Sequence, residues 1–490
     1  MCGSPAGGTS TPGTQPMGIV TRIAAITGPA LQRLLACCLL LHWGPVQAHV
    51  ADRYTVVTGV TVIDGTDGPP RTDALVVIRN DRIAGIGRDG QIAVPAGASV
   101  IEARGKWMIP GLIDAHVHFF QSGGLYTRPD VIDLRRIRPY DEEIAGIRER
   151  LPATLGRYLA SGVTSVVDLA GPRWTYELRA LADGAADSPR VMLSGPALAA
   201  SLPPGLDGRH APAVEVRSPG QARAAVQRLA ASQPDFLKVW FSPHPGMNLD
   251  PEFAWIGAAI DEAHTLGLRV AAHATRLDVA RRMVDAGADI LVHSVDDRPI
   301  DRELLSAMRD GGVLYIPTLG VSRRYAEVLG QRLALTPFEQ AMGDARVIAS
   351  LDDLPRLFRG YRPSQPARDN RVARENLLRV HRAGITIAAG SDAGNIGSLH
   401  GPGLHRELEL MVDAGLTPAE VLRAATQGGA RVMGRSRELG QLRPGMLADL
   451  VLLDADPRID IRNTRRIALV MAGGRVVWCG PDLQAVQCPG

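Results

Sequence analysis

The chain has 490 residues, of which 45% are hydrophobic and 21% charged, and a formal net charge of +3. That length holds one large α/β barrel plus a smaller satellite, and the composition is that of a globular protein. The weak charge and the lack of any Lys/Arg block argue against an electrostatic nucleic-acid partner and read as a solvated mixed surface.

Residues 1–16 are rich in Gly, Ser, Thr and Pro, and Met17 is an alternative start to Met1. Arg22 and Arg33 precede the apolar stretch Leu34–Trp43, which leads into Gly44-Pro45-Val46-Gln47-Ala48. A basic lead, a short apolar run and small residues predict a secretory signal peptide cleaved after Ala48, hence a periplasmic or secreted protein. A lipoprotein signal at Leu34-Leu35-Ala36-Cys37 is the weaker alternative, because almost no apolar run would precede the cysteine. The run is too short for a permanent membrane span. The mature chain keeps Cys479 and Cys488, which either pair in an oxidising compartment or stay free.

From Tyr54 to about Val100 the pattern is short strands and turns: Tyr54–Ile63, Ala74–Ile78 and Ile83–Ile86, with a turn at Asn80-Asp81. Similar runs return at Ala448–Leu453 and Val470–Trp478. Two β fragments around a long central region predict a small β-sandwich domain built from both chain ends. The predicted organisation is a disordered lead and signal peptide at 1–48, β domain at 49–110, barrel at 111–437, and β domain with tail at 438–490.

The centre alternates apolar strands with helices, the pattern of a parallel sheet. Eight strand candidates are Leu112–Phe119, Val163–Leu169, Arg190–Ser194, Phe236–Phe241, Arg269–Ala274, Asp289–Ser294, Val313–Thr318 and Thr386–Asp392. Helices such as Gln221–Ala231, Glu252–Leu266 and Leu277–Ala286 lie between them. The expected fold class is α/β, a (β/α)8 TIM barrel with chemistry at the carboxyl ends of its strands. The excursion 320–379, between the last two strands, is placed to cover that end.

His116 and His118 close the first strand two residues apart, so both imidazoles face one side and can reach one ion. Alone, such a pair in a chain of twelve histidines is as readily incidental. Lys238 lies on an otherwise apolar fourth strand, and the chain has only one other lysine, Lys106. Arginine would serve a buried ion pair equally well, but it cannot shed its proton to take up carbon dioxide. A carbamylated lysine carries a carboxylate-like head able to bridge two cations. His273 and His293 sit on the fifth and sixth strands; singly each reads as a core histidine, together as converging ligands. Asp392 ends the eighth strand, where it is either a helix cap or a ligand and proton acceptor.

These residues, with the runs Pro110-Gly111-Leu112-Ile113-Asp114-Ala115-His116-Val117-His118, Leu237-Lys238-Val239, Gly390-Ser391-Asp392-Ala393-Gly394 and Leu442-Arg443-Pro444-Gly445-Met446-Leu447-Ala448-Asp449-Leu450, resemble the amidohydrolase superfamily. Within it the chain looks closest to the imidazolonepropionase-related branch, which includes binuclear peptidases acting on Xaa-Pro and Xaa-Arg bonds. The resemblance implies His116, His118 and Asp392 on one ion, His273 and His293 on the other, and carbamylated Lys238 bridging.

Nitrogen and oxygen donors without cysteine suit two Zn²⁺ ions, with Mn²⁺ or Co²⁺ as alternatives. The expected reaction is hydrolysis of a peptide or N-acyl amino acid amide by a metal-bridging hydroxide, with Asp392 moving the proton. Substrate-binding candidates follow the strands: Tyr126, Arg298 and His400 foremost, then Arg128, His210, His244 and His405. Competing readings are a mononuclear deaminase, a lactonase or esterase on the same scaffold, and a non-catalytic metal-binding scaffold. A homo-oligomer is compatible with the sequence, which does not encode its oligomeric state legibly.

Overall fold

The computed structural model describes residues 52–480 except 186, 207, 245 and 358–369. The predicted signal peptide and Cys488 lie outside the described residues, while Cys479 is disulfide-bonded. Among the described residues no helix is long and apolar enough to cross a membrane.

Both ends of the described chain meet in one eight-stranded sheet. Arg71–Arg79 and Arg82–Gly87 form a hairpin whose turn carries Asn80 at φ +57°, a left-handed conformation that asparagine tolerates. The C-terminal strand Leu450–Leu453 lies antiparallel to Trp107–Pro110, with Leu450 opposite Pro110 and Val451 opposite Ile109. Asp449, immediately before it, takes the Gly111 amide on its carbonyl and Arg190 and Gly473 on its carboxylate. The returning chain is thereby locked to the residue that opens the first parallel strand. The expected sandwich takes the form of this single sheet, with a separate apolar core built from Val57, Val60, Ile83, Met108, Leu450 and Leu469.

The centre is parallel. Leu112–Val117, Val163–Asp168 and Arg190–Leu193 form a three-stranded sheet. Leu237–Val239, Val270–His273, Ile290–Val292 and Leu314–Ile316 pair in sequence within a six-stranded sheet, extended by the short strands Ala197–Ala199 and Ala213–Glu215. Seven predicted strands are therefore present. The segment Thr386–Asp392, expected as the eighth, makes only isolated bridges: Ile387 with Tyr315, and neighbouring Ala393 with Val117. Two causes are visible. The Ala389 amide goes to the Ala424 carbonyl at 3.1 Å instead of a strand, and Asp392 turns left-handed at φ +54°. The segment still bonds both sheets, through Ala388 to the Tyr315 carbonyl and Asp392 to the His116 carbonyl. Hydrogen bonding among the strands is that of two parallel sheets with a seam, not one closed ladder.

Helices cover these sheets where apolar residues recur at helical spacing. Pro219–Ala230 starts behind Ser218, whose hydroxyl accepts the Gln221 amide, and buries Ala222, Val226 and Leu229. Leu277–Asp285 buries Leu277, Ala280 and Met283 on one stripe. Each such large side chain contributes roughly 1.5–3 kcal/mol by leaving water.

The excursion folds into the helices Gly320–Leu329, Pro337–Met342, Ala345–Leu351 and Leu354–Leu357. Thr336 and Glu339 form a capping box, and Glu339 also pairs with buried Arg324. Val328, Leu351 and Leu354 pack on Leu125, Tyr126, Ile132 and Ile396. The excursion therefore rests on the loops that follow the first parallel strand and the seam, as its predicted position required.

Candidate metal centre

His116 belongs to the strand Leu112–Val117 and His118 follows it, so the extended backbone turns both rings to one side. Their Nε2 atoms lie 3.2 Å apart. Asp392 brings its Oδ1 to 3.1 Å from His118 Nε2 and 3.5 Å from His116 Nε2. One ligand atom from each of the three residues lies within 4.8 Å of the others. The approach depends on Gly390: a Cβ there would meet His116 Cβ and Ile316 Cγ2 at 2.7 Å each.

His118 Nδ1 faces the Ala170 carbonyl at 3.0 Å and so carries the proton, leaving Nε2 as a lone pair. Burial, followed by neighbouring His293 and Lys238, holds His116 neutral well below the ordinary histidine range. Two ring nitrogens and a carboxylate oxygen thus converge towards one point. Such a donor set is repulsive by itself and is satisfied by a cation.

His273 and His293 complete the cluster. Their ring centroids are 4.5 Å apart, and the His293 ring is 4.9 Å from that of His116. His293 Nδ1 bonds Thr318 Oγ1 at 2.8 Å and lies 3.9 Å from Asp392 Oδ2. His273 Nε2 meets Ser242 Oγ at 2.9 Å. Burial, followed by the charges of His273 and Lys238, keeps His293 neutral as well. His293 has φ +74° and Asp392 φ +54°, both rare for side-chain-bearing residues.

Lys238 is 3% exposed, and its Nζ has no hydrogen-bond partner among the described residues. Burial lowers its ammonium to about 7, with Asp392 pulling the other way. It is near enough for its charge to act on His116, His293 and Asp392. A buried amine whose ammonium is depressed this far towards neutrality supplies the uncharged form that reacts with carbon dioxide.

Behind the cluster lie residues the sequence reading left without a role. Asp114 accepts from Ser391 N–H at 2.9 Å and Ser391 Oγ–H at 2.5 Å, and burial raises its carboxyl to about 7. Asp168, likewise raised to about 7 by burial, accepts from the Phe119 and Ala170 amides. Glu407 accepts from the Leu319 and Gly320 amides at 2.7 and 2.8 Å and is pushed by burial to about 8. It thereby fixes the backbone just beyond Thr318. Asp114 stood inside a quoted motif, two residues before His116; Glu407 carried no local signal.

The substrate-binding candidates fare differently. His400 is buried, with Nδ1 on the Tyr158 hydroxyl, Nε2 on the Gln121 carbonyl, and its ring stacked on Phe119. Neither ring nitrogen is left for a substrate, which corrects the expectation drawn from its closeness to Asp392 in sequence. Tyr126 gives its hydroxyl to Asp353 and its ring face to Arg138, so it too is structural. Arg298 is exposed and pairs with Asp297. Arg128 is consumed by Asp130, Tyr325 and Asn395. His405 is held by Thr464 and the Ser161 carbonyl, and His210 pairs with Asp141. His244 lies exposed on the loop after the lysine-bearing strand.

Parallel strands whose carboxyl ends gather histidines and an aspartate define an α/β metal-binding protein. The amidohydrolase family model matches residues 107–477, and the chain belongs to that family. It is 29% identical over 437 residues to an imidazolonepropionase of Anaeromyxobacter dehalogenans, covering 85% of this chain and 93% of the relative. It is 26% identical over 468 residues to the ochratoxinase of Aspergillus niger, covering 88% of each. A prolidase solved with N-methylphosphonate-L-proline superposes with TM-score 0.66 at 25% identity, over 87% of this chain and 100% of that one. Membership places the chain among metal-dependent hydrolases of C–N bonds.

Proposed function

We propose that the chain is a binuclear amidohydrolase cleaving a peptide or N-acyl amino acid amide, with its site at the mouth of a (β/α)8 barrel closed along the 386–393 seam. The observation that carries this reading is Lys238: a buried amine with no hydrogen-bond partner among the described residues, close enough to His116, His293 and Asp392 for its charge to act on them. A mononuclear deaminase has no use for it. His116, His118 and Asp392 would hold one ion and His273 and His293 the other, with carbamylated Lys238 between them. Zinc suits these donors. Divalent ions there supply a water acidic enough to ionise near neutral pH and polarise the amide carbonyl.

The chain's own part is proton handling and positioning. Asp392 engages His118 and Asn395 through Oδ1, while Oδ2 lies 3.9 Å from His293 and serves as the proton acceptor. Passing that proton to the departing nitrogen completes amide cleavage. The prolidase neighbour supports an amide substrate, and the signal peptide predicted at the N-terminal end supports action in the periplasm or outside the cell. The domain limits of 49–110, 111–437 and 438–490 belong to the same proposal.

Metal analysis of protein purified in bicarbonate, combined with carbon-13 NMR after exposure to labelled carbon dioxide, tests the site. Two zinc ions per chain and a carbamate resonance lost in Lys238→Ala are expected. One ion per chain with no carbamate would sink the binuclear reading. A panel of dipeptides, N-acyl amino acids, lactones and aminopurines then assigns the bond cleaved.

A further inference from the structure

Asp392 is turned into the cluster by a left-handed backbone, so something must hold its carboxylate in place. Asn395, three residues on and 3% exposed, donates from Nδ2 to Asp392 Oδ1 at 2.7 Å. Its own Oδ1 receives the Tyr325 hydroxyl at 2.6 Å and Arg128 Nη1. Arg128 offers donors only, so the amide cannot be reversed: the carbonyl must face the guanidinium and the NH₂ must face Asp392. Arg128 is itself fixed by Asp130, which takes Nε at 2.7 Å and Nη2 at 2.6 Å.

These residues come from three separate parts of the chain. Arg128 and Asp130 lie on the loop after the first parallel strand, Tyr325 on the helix Gly320–Leu329 of the excursion, and Asn395 on the turn after the seam. We propose that Asn395, polarised by Arg128 and Tyr325, is a positioning residue that sets the orientation of Asp392 as a metal ligand and ties it to the excursion. An asparagine is the side chain that suits both ends. Aspartate would satisfy Arg128 and Tyr325 but present a second negative charge to Asp392; alanine would leave both partners and the carboxylate unheld. The inference rests on the metal reading of His116, His118 and Asp392 proposed above, and it also accounts for an arginine near the cluster that spends four of its five N–H donors inside this network.

The test uses cobalt(II) alone, titrated into the metal-free full-length chain, with the visible absorption of bound cobalt as readout. Asn395→Asp and Asn395→Ala are expected to bind cobalt about tenfold or more weakly and with a shifted absorption band, since partners of ligands typically act on that scale. Tyr325→Phe, which removes one hydroxyl and leaves Asn395 in place, is expected to shift the band by less. If the Asn395 variants do not accumulate as folded protein, Tyr325→Phe decides: a displaced band supports the proposal, an unaltered one overturns it. Wild-type affinity and spectrum in all three variants overturn the role of Asn395 while leaving the metal site intact. Failure of the wild type to take up cobalt overturns the metal reading itself, and this proposal with it.

Discussion

Ser391 Oγ donates to Asp114 Oδ2 at 2.5 Å in a fully buried contact, and the Ser391 amide reaches the other oxygen at 2.9 Å. Asp114 lies two residues before His116 and Ser391 one before Asp392, so the pair sets the spacing between the backbones that carry two of the proposed ligands. Ser391→Ala leaves a buried carboxylate short of a donor, which costs about 1–3 kcal/mol. A lowered urea midpoint with an unchanged m-value is expected. An unchanged midpoint would mean that the contact carries no stability.

Asp392→Asn keeps the proposed ligand oxygen but removes the proposed proton acceptor. The turnover number should fall by about 10²- to 10⁴-fold, the usual scale of general acid–base catalysis. Steady-state kinetics with metal content determined on the same sample decides. Near wild-type turnover with both ions retained excludes Asp392 as the proton shuttle.

Thr318 holds the ring of His293 through its 2.8 Å contact with Nδ1, which turns Nε2 towards its proposed role as a ligand of the second ion. Replacing it by valine preserves shape and deletes the hydroxyl, and zinc affinity should drop about 10- to 100-fold. Chelator competition measures this, and Thr318→Ser serves as the restoring control. Equal affinity in the valine variant would show that the contact does not orient the ring.

Glu407 offers a pH signature in the metal-free protein. Burial raises its folded carboxyl to about 8, whereas an unfolded glutamate titrates near its ordinary value of about 4. Between those values the folded chain binds more protons than the unfolded one, so this group makes stability fall as pH rises and levels off above about 8. Glu407→Gln cannot ionise and should lack that component. Urea unfolding of both proteins across this window tests it: a wild-type-minus-variant difference that stays constant with pH rules the effect out.

Much of this architecture was legible because apolar runs between helical stretches mark buried parallel strands. Val163–Asp168, Val270–His273 and Ile290–Val292 all fall inside predicted segments. Ala197–Ala199 and Ala213–Glu215 were missed: Ala-Leu-Ala and Ala-Val-Glu are each too short for any periodicity to show. The seam was overread because its apolar run looks like a strand, while the amide spent on Ala424 and the left turn at Asp392 depend on distant chain. His116, His118, Lys238, His273, His293 and Asp392 were legible as a set because reactive side chains are conspicuous at the ends of apolar strands. Their supports were not. Nothing near Asn395 or Tyr325 in sequence announces Arg128, and the sequence closeness of His400 to Asp392 hid a ring turned towards Phe119 and Tyr158.

Asp392 and His293 both adopt backbone angles that side-chain-bearing residues avoid, at a cost of order 1–3 kcal/mol each. That cost falls on chain folding, before any ion arrives, so cation capture need not reorganise the backbone. A backbone already set in this way favours an ion whose preferred geometry matches the arrangement of these side chains.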